Sequence, residues 1–521
     1  MMVARTVSVA LLGITGAVVE VEAHIADAIP GFQIIGLPDA ALSDSKDRVR
    51  AAAANDGCPL PTKKIVVNLS PASLPKHGSA YDLAIAVAVL AAEGAVDASA
   101  IEGVVHLGEL SLDGRVRPMS GLLPAMVAAR AAGYSRFVVP RGNEAEAALV
   151  PDVRVTAVTS LREALIAHGA ELESLPVEPL VLASRAAEES RAGDLGDVVG
   201  NTDAVEALVV AAAGGHHLLM LGPPGAGKTM LAQRLPALLP DLDAEQSLVA
   251  TSVSSLAGRP VRGLLTRPPF ESPHHTTSAA ALVGGGSKII RPGAAARAAN
   301  GVLFLDEAPE FPASVLDALR QPLESGTISI HRAQAVAEFP ARFQLVLAAN
   351  PCPCGQFGAS DIACTCTPIA RRRYLARLSG PLLDRVDLQL RVNRVTSAAM
   401  RLAADDGPGG LPHTTTAVAR ERVLRARAVS AERLRGTGWK TNAEVPGAWY
   451  RSGAQRLPST VTAPIDRALE RGTLTMRGYD RVLRVAWTLA DLDDAVGGAS
   501  GGSPNGDHIG WALFLRKSVA V

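Results

Sequence analysis

The octet 222-GPPGAGKT-229 decides the fold. It matches the pattern G-x-x-x-x-G-K-[ST], in which glycines let backbone N–H groups wrap phosphate oxygens at a helix N-terminus. The run LLML before it predicts a strand, and MLAQRLPALL after it predicts a helix. A loop held between those two elements is what cradling a phosphate requires. Gly222, Pro223, Pro224, Gly225, Ala226 and Gly227 are read as the loop. Lys228 is read as the contact to the β- and γ-phosphates of ATP, and Thr229 as a ligand of the accompanying Mg²⁺.

A second stretch, 302-VLFLDE-307, is an apolar strand that ends in two acids. Asp306 would hold Mg²⁺ through water, and Glu307 would polarise the attacking water. Two acids at a strand end are by themselves an ordinary solvated loop; a phosphate loop upstream changes that reading. A third apolar strand, 345-LVLA-348, runs into Asn350, whose amide can orient the same water. Farther on, 380-GPLLDRVDL-388 contains Arg385. One arginine is as well explained by a surface ion pair, but phosphoryl transfer often needs an arginine from a neighbour. Buried strands alternating with helices from Asp203 onward imply a parallel sheet.

Working outward, 521 residues suggest three or four domains at roughly 150 residues each. Lys+Arg and Asp+Glu both number 51, so there is no global basic field and any nucleic-acid contact must be a local patch. Residues 1–167 mix Val/Ile-rich runs at 18–21, 65–67 and 137–139 with Ala-rich stretches at 46–55, 83–92 and 125–132, which predicts an α/β domain. The apolar N-terminus alternates and meets Glu20 and Glu22, so it reads as strands and not as a signal peptide. No apolar run reaches the roughly 18 residues of a membrane span, and no membrane partner is expected. Residues 168–198 read as a linker, Asp405–Gly410 as a flexible patch, and the region after it as helical to the C-terminus, broken by the Gly-rich 497–506.

Four of the five cysteines crowd into 350-NPCPCGQFGASDIACTC-366. Lack of a secretory pattern makes a cytoplasmic, reduced state the expectation. Cys352, Cys354, Cys364 and Cys366 form two C-x-C pairs that suit a structural tetrahedral Zn²⁺ site, although one residue between ligands is tighter than the usual spacing. The competing reading is four free thiols. Arg371, Arg372 and Arg373 follow at once, and a second basic run spans 420–435. Each run is either a DNA contact or a solvated helix face with i,i+4 partners. Residues 325–344 alternate like a hairpin that could present His331 and Arg332 to DNA in a ring pore. His274 and His275 are adjacent and are not expected to point the same way, so no catalytic metal is assigned to them.

Together the phosphate loop, the strand ending in DE, the strand ending in Asn and the arginine after LLD resemble the AAA+ ATPases. More narrowly, 272-SPHHTTSAAALVGGG-286, 301-GVLFLDEAPEFP-312, 319-LRQPLESG-326, 349-ANPCPCG-355 and 66-VVNLSPASLPKHGSAYDLAIAVAVL-90 resemble the magnesium-chelatase-like branch that includes the competence protein ComM, also called YifB. The resemblance covers nearly the whole chain. It implies a Lon-protease-like α/β domain at 1–167, a linker at 168–198, an AAA+ parallel-sheet core at 199–392 with the Cys₄ insert at 352–366, and a helical lid at 393–521. It also implies a hexameric ring in which Arg385 acts across a subunit boundary and Arg477 contacts the γ-phosphate. The implied activity is that of an ATP-hydrolysing motor on branched or single-stranded DNA, a helicase driving branch migration in recombination or natural transformation. Two other readings stand beside it: an ATPase subunit driving metal insertion into a porphyrin, and a nucleotide-switched scaffold. Against a Ser–Lys peptidase, the comparable stretch 75-PKHGSAYDL-83 puts Ala80 nearest the nucleophile position, beside Ser79, and Leu123 stands where the lysine would be. A leucine cannot take a proton from serine. Lys63, Lys64 and Lys76 are expected at most to contribute phosphate contacts.

Overall fold

The computed structural model describes residues 3–36, 42, 44–180, 193–286, 290–331, 336–358, 364–395, 397, 414–494 and 502–517. Arg332, Asp405–Gly410, and parts of the expected linker and of the Gly-rich 497–506 stretch lie outside these residues.

Residues 3–167 build one mixed seven-stranded sheet. Its order is Gly31–Ile35, Lys64–Ser70, Thr15–Ala26, Val3–Leu12, Val104–His106, Arg136–Pro140 and Arg154–Val158. The N-terminal apolar run becomes a long antiparallel hairpin in which Val3 faces His24 and Leu12 faces Thr15. The Asp82–Glu93 helix is buried on every side from Asp82 to Ala92, which explains why DLAIAVAVLAAE shows no polar face. Its one buried acid, Asp82, is held by Arg48 at 2.8 Å. From 170 to 180 the chain forms no helix or strand.

The second sheet has five parallel strands in the order Phe270–Glu271, Val302–Leu305, Gln344–Ala349, Leu218–Leu221 and Leu388–Arg391. Successive side chains of a strand point to opposite faces. Accordingly Leu218, Met220, Val302, Phe304, Val346 and Ala348 enter one apolar cluster. Leu219, Leu221, Leu303, Leu305, Leu345 and Leu347 enter another. Both faces are covered, so these strands read as unbroken apolar runs. The C-terminal helices Thr416–Arg433, Ser459–Glu470, Met476–Asp494 and Gly506–Lys517 do not form a separate core. Val423, Ile465, Val482 and Leu515 belong to the same cluster as Leu218 and Phe304.

A buried polar joint reinforces that packing. His216 lies 3.2 Å from Asp387 through Nδ1 and 2.8 Å from the Thr488 hydroxyl through Nε2. Arg481, on the Met476–Asp494 helix, donates to Asp387 as well. Burial works to raise the Asp387 carboxyl, but Arg481 and then His216 hold it well below the usual carboxylate range.

The N-terminal sheet is docked on the core at two places. Ile14 N–H donates to Glu338 of the Val336–Pro340 strand at 3.3 Å. Gly121 N–H donates to the Ser255 hydroxyl at 3.0 Å, at the end of the Ala244–Leu256 helix. The turn at Gly13, with φ +66°, tolerates no side chain, since a Cβ there would lie 2.3 Å from Glu338 O. The Ser255 hydroxyl also donates to Glu146, which accepts from Leu123 N–H at 2.9 Å. Among the described residues, no helix is long and apolar enough to cross a membrane.

Candidate active site

The octet lies where its sequence required, between the Leu218–Leu221 strand and the Lys228–Leu238 helix. Gly222 passes so close to the neighbouring strand's exit that a Cβ would sit 2.2 Å from Val392 O. Lys228 Nζ folds back over the loop, donating to Gly222 O at 2.6 Å, Pro223 O at 3.0 Å and Asn350 Oδ1 at 3.1 Å. Burial lowers the Lys228 pKa, while Asp306 and Glu307 oppose that shift. Four expected residues from three separate segments therefore meet at one ammonium and its surroundings.

The Thr229 hydroxyl donates to Asp306 Oδ2 at 2.6 Å. These are the two oxygens assigned to Mg²⁺, and they already face each other. A hydroxyl and a carboxylate are hard donors of the kind Mg²⁺ takes alongside phosphate oxygens. Glu307 follows in the left-handed region at φ +50°, unusual for a residue with a side chain. Its backbone N–H donates to Asp306 Oδ1 at 2.9 Å.

Two contacts were not expected. His275 Nδ1 lies 3.3 Å from Glu307 Oε2. The His274 and His275 rings are 4.1 Å apart, so adjacent side chains here do lie side by side, which corrects the geometric argument made from sequence. Arg394 Nε donates to Pro224 O of the loop at 3.3 Å. The available signal was position alone: Leu388–Arg391 runs parallel to Leu218–Leu221, and the residues after it leave the sheet beside the octet.

Arg385 and Arg477 lie elsewhere. Leu388 pairs with Leu218, so Arg385 precedes the strand at the sheet's entry edge, while the phosphate loop leaves at the exit edge. Four strand residues span about 13 Å. Arg385 is bonded to Glu324. Arg477 reaches Asp384 at 3.3 Å, next to Arg385 and not next to Lys228.

The four cysteines converge. Sγ separations are 3.3 Å for Cys352–Cys354 and 3.6 Å for both Cys352–Cys364 and Cys354–Cys364. All four sulfurs, Cys366 included, lie within 4.8 Å of one another. Thiolates at ~2.3 Å around a tetrahedral Zn²⁺ are about 3.8 Å apart, so the set fits that ion. The Gln356 backbone N–H, followed by the Cys352 and Cys366 thiols, lowers the Cys354 pKa to about 6. This loop leans on the phosphate loop: a Cβ on Gly355, at φ +78°, would lie 2.6 Å from Pro224 Cδ. The helix that follows, Pro368–Leu375, is anchored by the buried side chain of Tyr374.

The second basic run is bound largely within the protein, to neighbouring acids and carbonyls. Arg422 forms a two-pronged pair with Glu206 at 2.9 Å. Arg427 donates to Ala212 O, Arg433 pairs with Asp491, and Arg420 with Asp241. The exposed Arg425 and Arg435 pair with Glu421 and Glu432 on their own helix segment. Lys76 is also unavailable to phosphate: it is fully buried, donating to Gly36 O at 2.9 Å and to Pro71 O. In the N-terminal domain, Ala80 packs against the apolar cluster that contains the fully buried Leu123. The Ser79 hydroxyl beside them donates to Glu109.

Family models agree with this architecture. Residues 194–400 match "Magnesium chelatase, subunit ChlI", residues 21–143 match "Subunit ChlI of Mg-chelatase", and residues 413–516 match its C-terminal region. An uncharacterized protein of Mycobacterium tuberculosis is 48% identical over 527 residues, covering 100% of both chains. The "Competence protein ComM" of Haemophilus influenzae is 40% identical over 495 residues, 94% of each chain. A "Lon protease" of Mycolicibacterium smegmatis is 26% identical over 185 residues, 34% of this chain and 23% of that one. With its nucleotide loop, acidic strand and helical C-terminal region in these positions, the chain belongs to the magnesium-chelatase-like family of AAA+ ATPases that includes the ComM and YifB proteins.

Proposed function

We propose that the chain is an ATP-hydrolysing motor that acts on DNA as a ring of copies, hexameric by family resemblance. The observation that carries the ring is the division of the site. Lys228, Thr229, Asp306, Glu307 and Asn350 gather at one edge of the sheet, while Arg385 and Arg477 stand at the other. Arginines on the far edge are of use to a nucleotide only when a second copy holds it. In this reading Lys228 neutralises the β- and γ-phosphates of ATP, and Thr229 and Asp306 hold Mg²⁺. Glu307 orients the attacking water and takes its proton, and Asn350 fixes the water's approach. Arg385 and Arg477 of the adjacent copy offset charge developing on the γ-phosphate.

DNA as the partner is supported by Arg371, Arg372 and Arg373, which have no ion-pair partner among the described residues. They stand on a helix anchored by the buried Tyr374. Zn²⁺ at Cys352, Cys354, Cys364 and Cys366 would supply structure alone, since four thiolates fill its coordination. The loop bearing them touches Pro224, so its position and that of the phosphate loop are linked. The N-terminal domain acts as a scaffold: a peptidase needs a base at the position of Leu123, and that side chain is packed in the core.

The test is ATP turnover with single-stranded, duplex and four-way-junction DNA. Junction or single-stranded DNA is expected to stimulate more than duplex. Turnover indifferent to every DNA form, but stimulated by a porphyrin-loaded partner, would move the protein to the metal-insertion reading that the family models also describe.

A further inference from the structure

We propose that the knob formed by the described residues 351–358 of the cysteine loop and the Pro368–Leu375 helix is a stacking site for an unpaired nucleobase. Phe357 and Arg371 are its platform, and Arg372 and Arg373 its phosphate contacts. The proposal deepens the DNA reading above and rests on it.

Aromatic residues are scarce in this chain, at 3%, and the cores take most of the large rings. Phe357 is 45% exposed. The Arg371 guanidinium lies over its ring, 3.8 Å from the centroid. That is a cation–π contact, and it gives the knob a flat π surface joined to a flat cation. A base stacks on either plane whatever its identity, because every base has a π face.

The neighbouring residues fit the rest of a nucleotide. Ile369 is 65% exposed. It lies three and four residues before Arg372 and Arg373, the spacing that places helical side chains on one face. Arg372 and Arg373 are exposed and, like Arg371, make no ion pair among the described residues. The arginines of the 420–435 run behave differently, each being bonded to a carboxylate or a carbonyl. Unpaired cations beside exposed apolar surface suit a ligand that offers phosphates and aromatic faces together. Duplex DNA hides its base faces and offers only the phosphates, so the knob selects unpaired strands.

The knob is also anchored where such binding would register. Tyr374 is buried at the foot of the arginine helix, and the cysteine loop packs on the phosphate loop, where a Cβ on Gly355 would lie 2.6 Å from Pro224 Cδ. The Asn350 side chain holds Lys228 at 3.1 Å.

The experiment measures fluorescence anisotropy of the full chain with labelled oligothymidine and with blunt duplex, across a salt series. Phe357→Leu keeps an apolar side chain without a π face, and Arg371→Lys keeps the charge without the plane. Each is expected to weaken oligothymidine binding by about tenfold, the scale of one lost stack, with duplex affinity and salt slope unchanged. Arg372→Gln with Arg373→Gln is expected to flatten the salt slope for single strands by roughly 0.7 per lost contact. An unchanged thermal midpoint and metal content show that Phe357→Leu is folded. Wild-type affinity of Phe357→Leu for oligothymidine, with the arginine pair still needed, overturns the stacking site and leaves the DNA reading standing. Loss of self-association in Phe357→Leu at unchanged DNA affinity makes the knob a subunit contact and overturns the proposal too. A wild-type chain that binds neither DNA form removes the DNA reading itself.

Discussion

His275 Nδ1 meets the Glu307 carboxylate at 3.3 Å, joining the segment after the edge strand Phe270–Glu271 to the acid that ends Val302–Leu305. Glu307 sits at φ +50° and its carboxylate is half exposed, so this imidazole is a lateral restraint on an otherwise open side chain. His275→Ala is expected to lower kcat for ATP by about tenfold and leave KM unchanged, because only the acid's aim is lost. His275→Asn, which can still donate to the carboxylate, should recover part of the rate. An increase in KM with kcat unchanged would show that His275 serves binding instead.

In the proposed mechanism Lys228 and Glu307 divide the work. Lys228→Ala should abolish ATP binding, read by fluorescent-nucleotide titration. Glu307→Gln should bind ATP as tightly as the parent and turn it over at least ~100-fold more slowly, the usual worth of a general base. Near-normal turnover in Glu307→Gln would mean that another group activates the water.

Arg385→Ala should bind ATP and fail to hydrolyse it. Lys228→Ala protein retains Arg385 but cannot hold nucleotide. Mixed rings place an intact Arg385 against an intact Lys228, so titrating one inactive protein into the other should restore turnover. Zero activity at every ratio, with mixed assembly shown by crosslinking, would contradict action across the boundary.

Metal analysis of reduced, folded protein should find one Zn²⁺ per chain. Serine at Cys352, Cys354, Cys364 or Cys366 should reduce that content, with loss at Cys352 the most damaging to folding because it is fully buried. Folded, reduced protein without metal would rule the site out.

Glu146 carries a pH signature. Burial raises its pKa, and the Ser255 hydroxyl, Leu123 N–H and Asn143 offset only part of that. An acid with a raised folded pKa holds its proton longer in the folded state. Stability therefore falls as pH climbs from the unfolded value, ~4.3, through the folded one, and is level above it. Glu146→Gln should flatten the melting-temperature profile in that window. An unchanged slope would mean that the domain joint does not contribute it.

The arrangement of the candidate nucleotide site was legible in the sequence because it is local. Phosphate binding needs glycines, a lysine and a threonine within eight positions, and the strands around them are apolar on both faces. The cysteines were legible for the same reason. Lys76, by contrast, looks like a surface cation until the chain is folded, when it fills the space between Gly36 and Pro71. The 420–435 arginines look like a nucleic-acid face, yet Glu206, Ala212, Asp241 and Asp491 take four of them from positions far away in the chain. His275 and Arg394 gain meaning only from which strands are neighbours. Such pairings are set by packing between distant segments, and residue spacing carries no record of them.

The apolar cluster shared by the sheet and the C-terminal helices has a mechanical consequence. Leu218, Val423, Val482 and Leu515 are packed together, and Arg481 is bonded to Asp387 at the sheet's entry edge. A hinge inside one chain would have to tear that packing and strand a buried ion pair. The stiff body is therefore sheet plus helices, and in the proposed ring the compliant element would be the seam between one copy and the next. In the proposed ring ATP would bind at that seam, with phosphate-holding groups on one side and arginines on the other. Each turnover would then tighten or slacken a joint between rigid blocks, and the stroke of such a ring would be a sequence of block rotations rather than the opening of a lid.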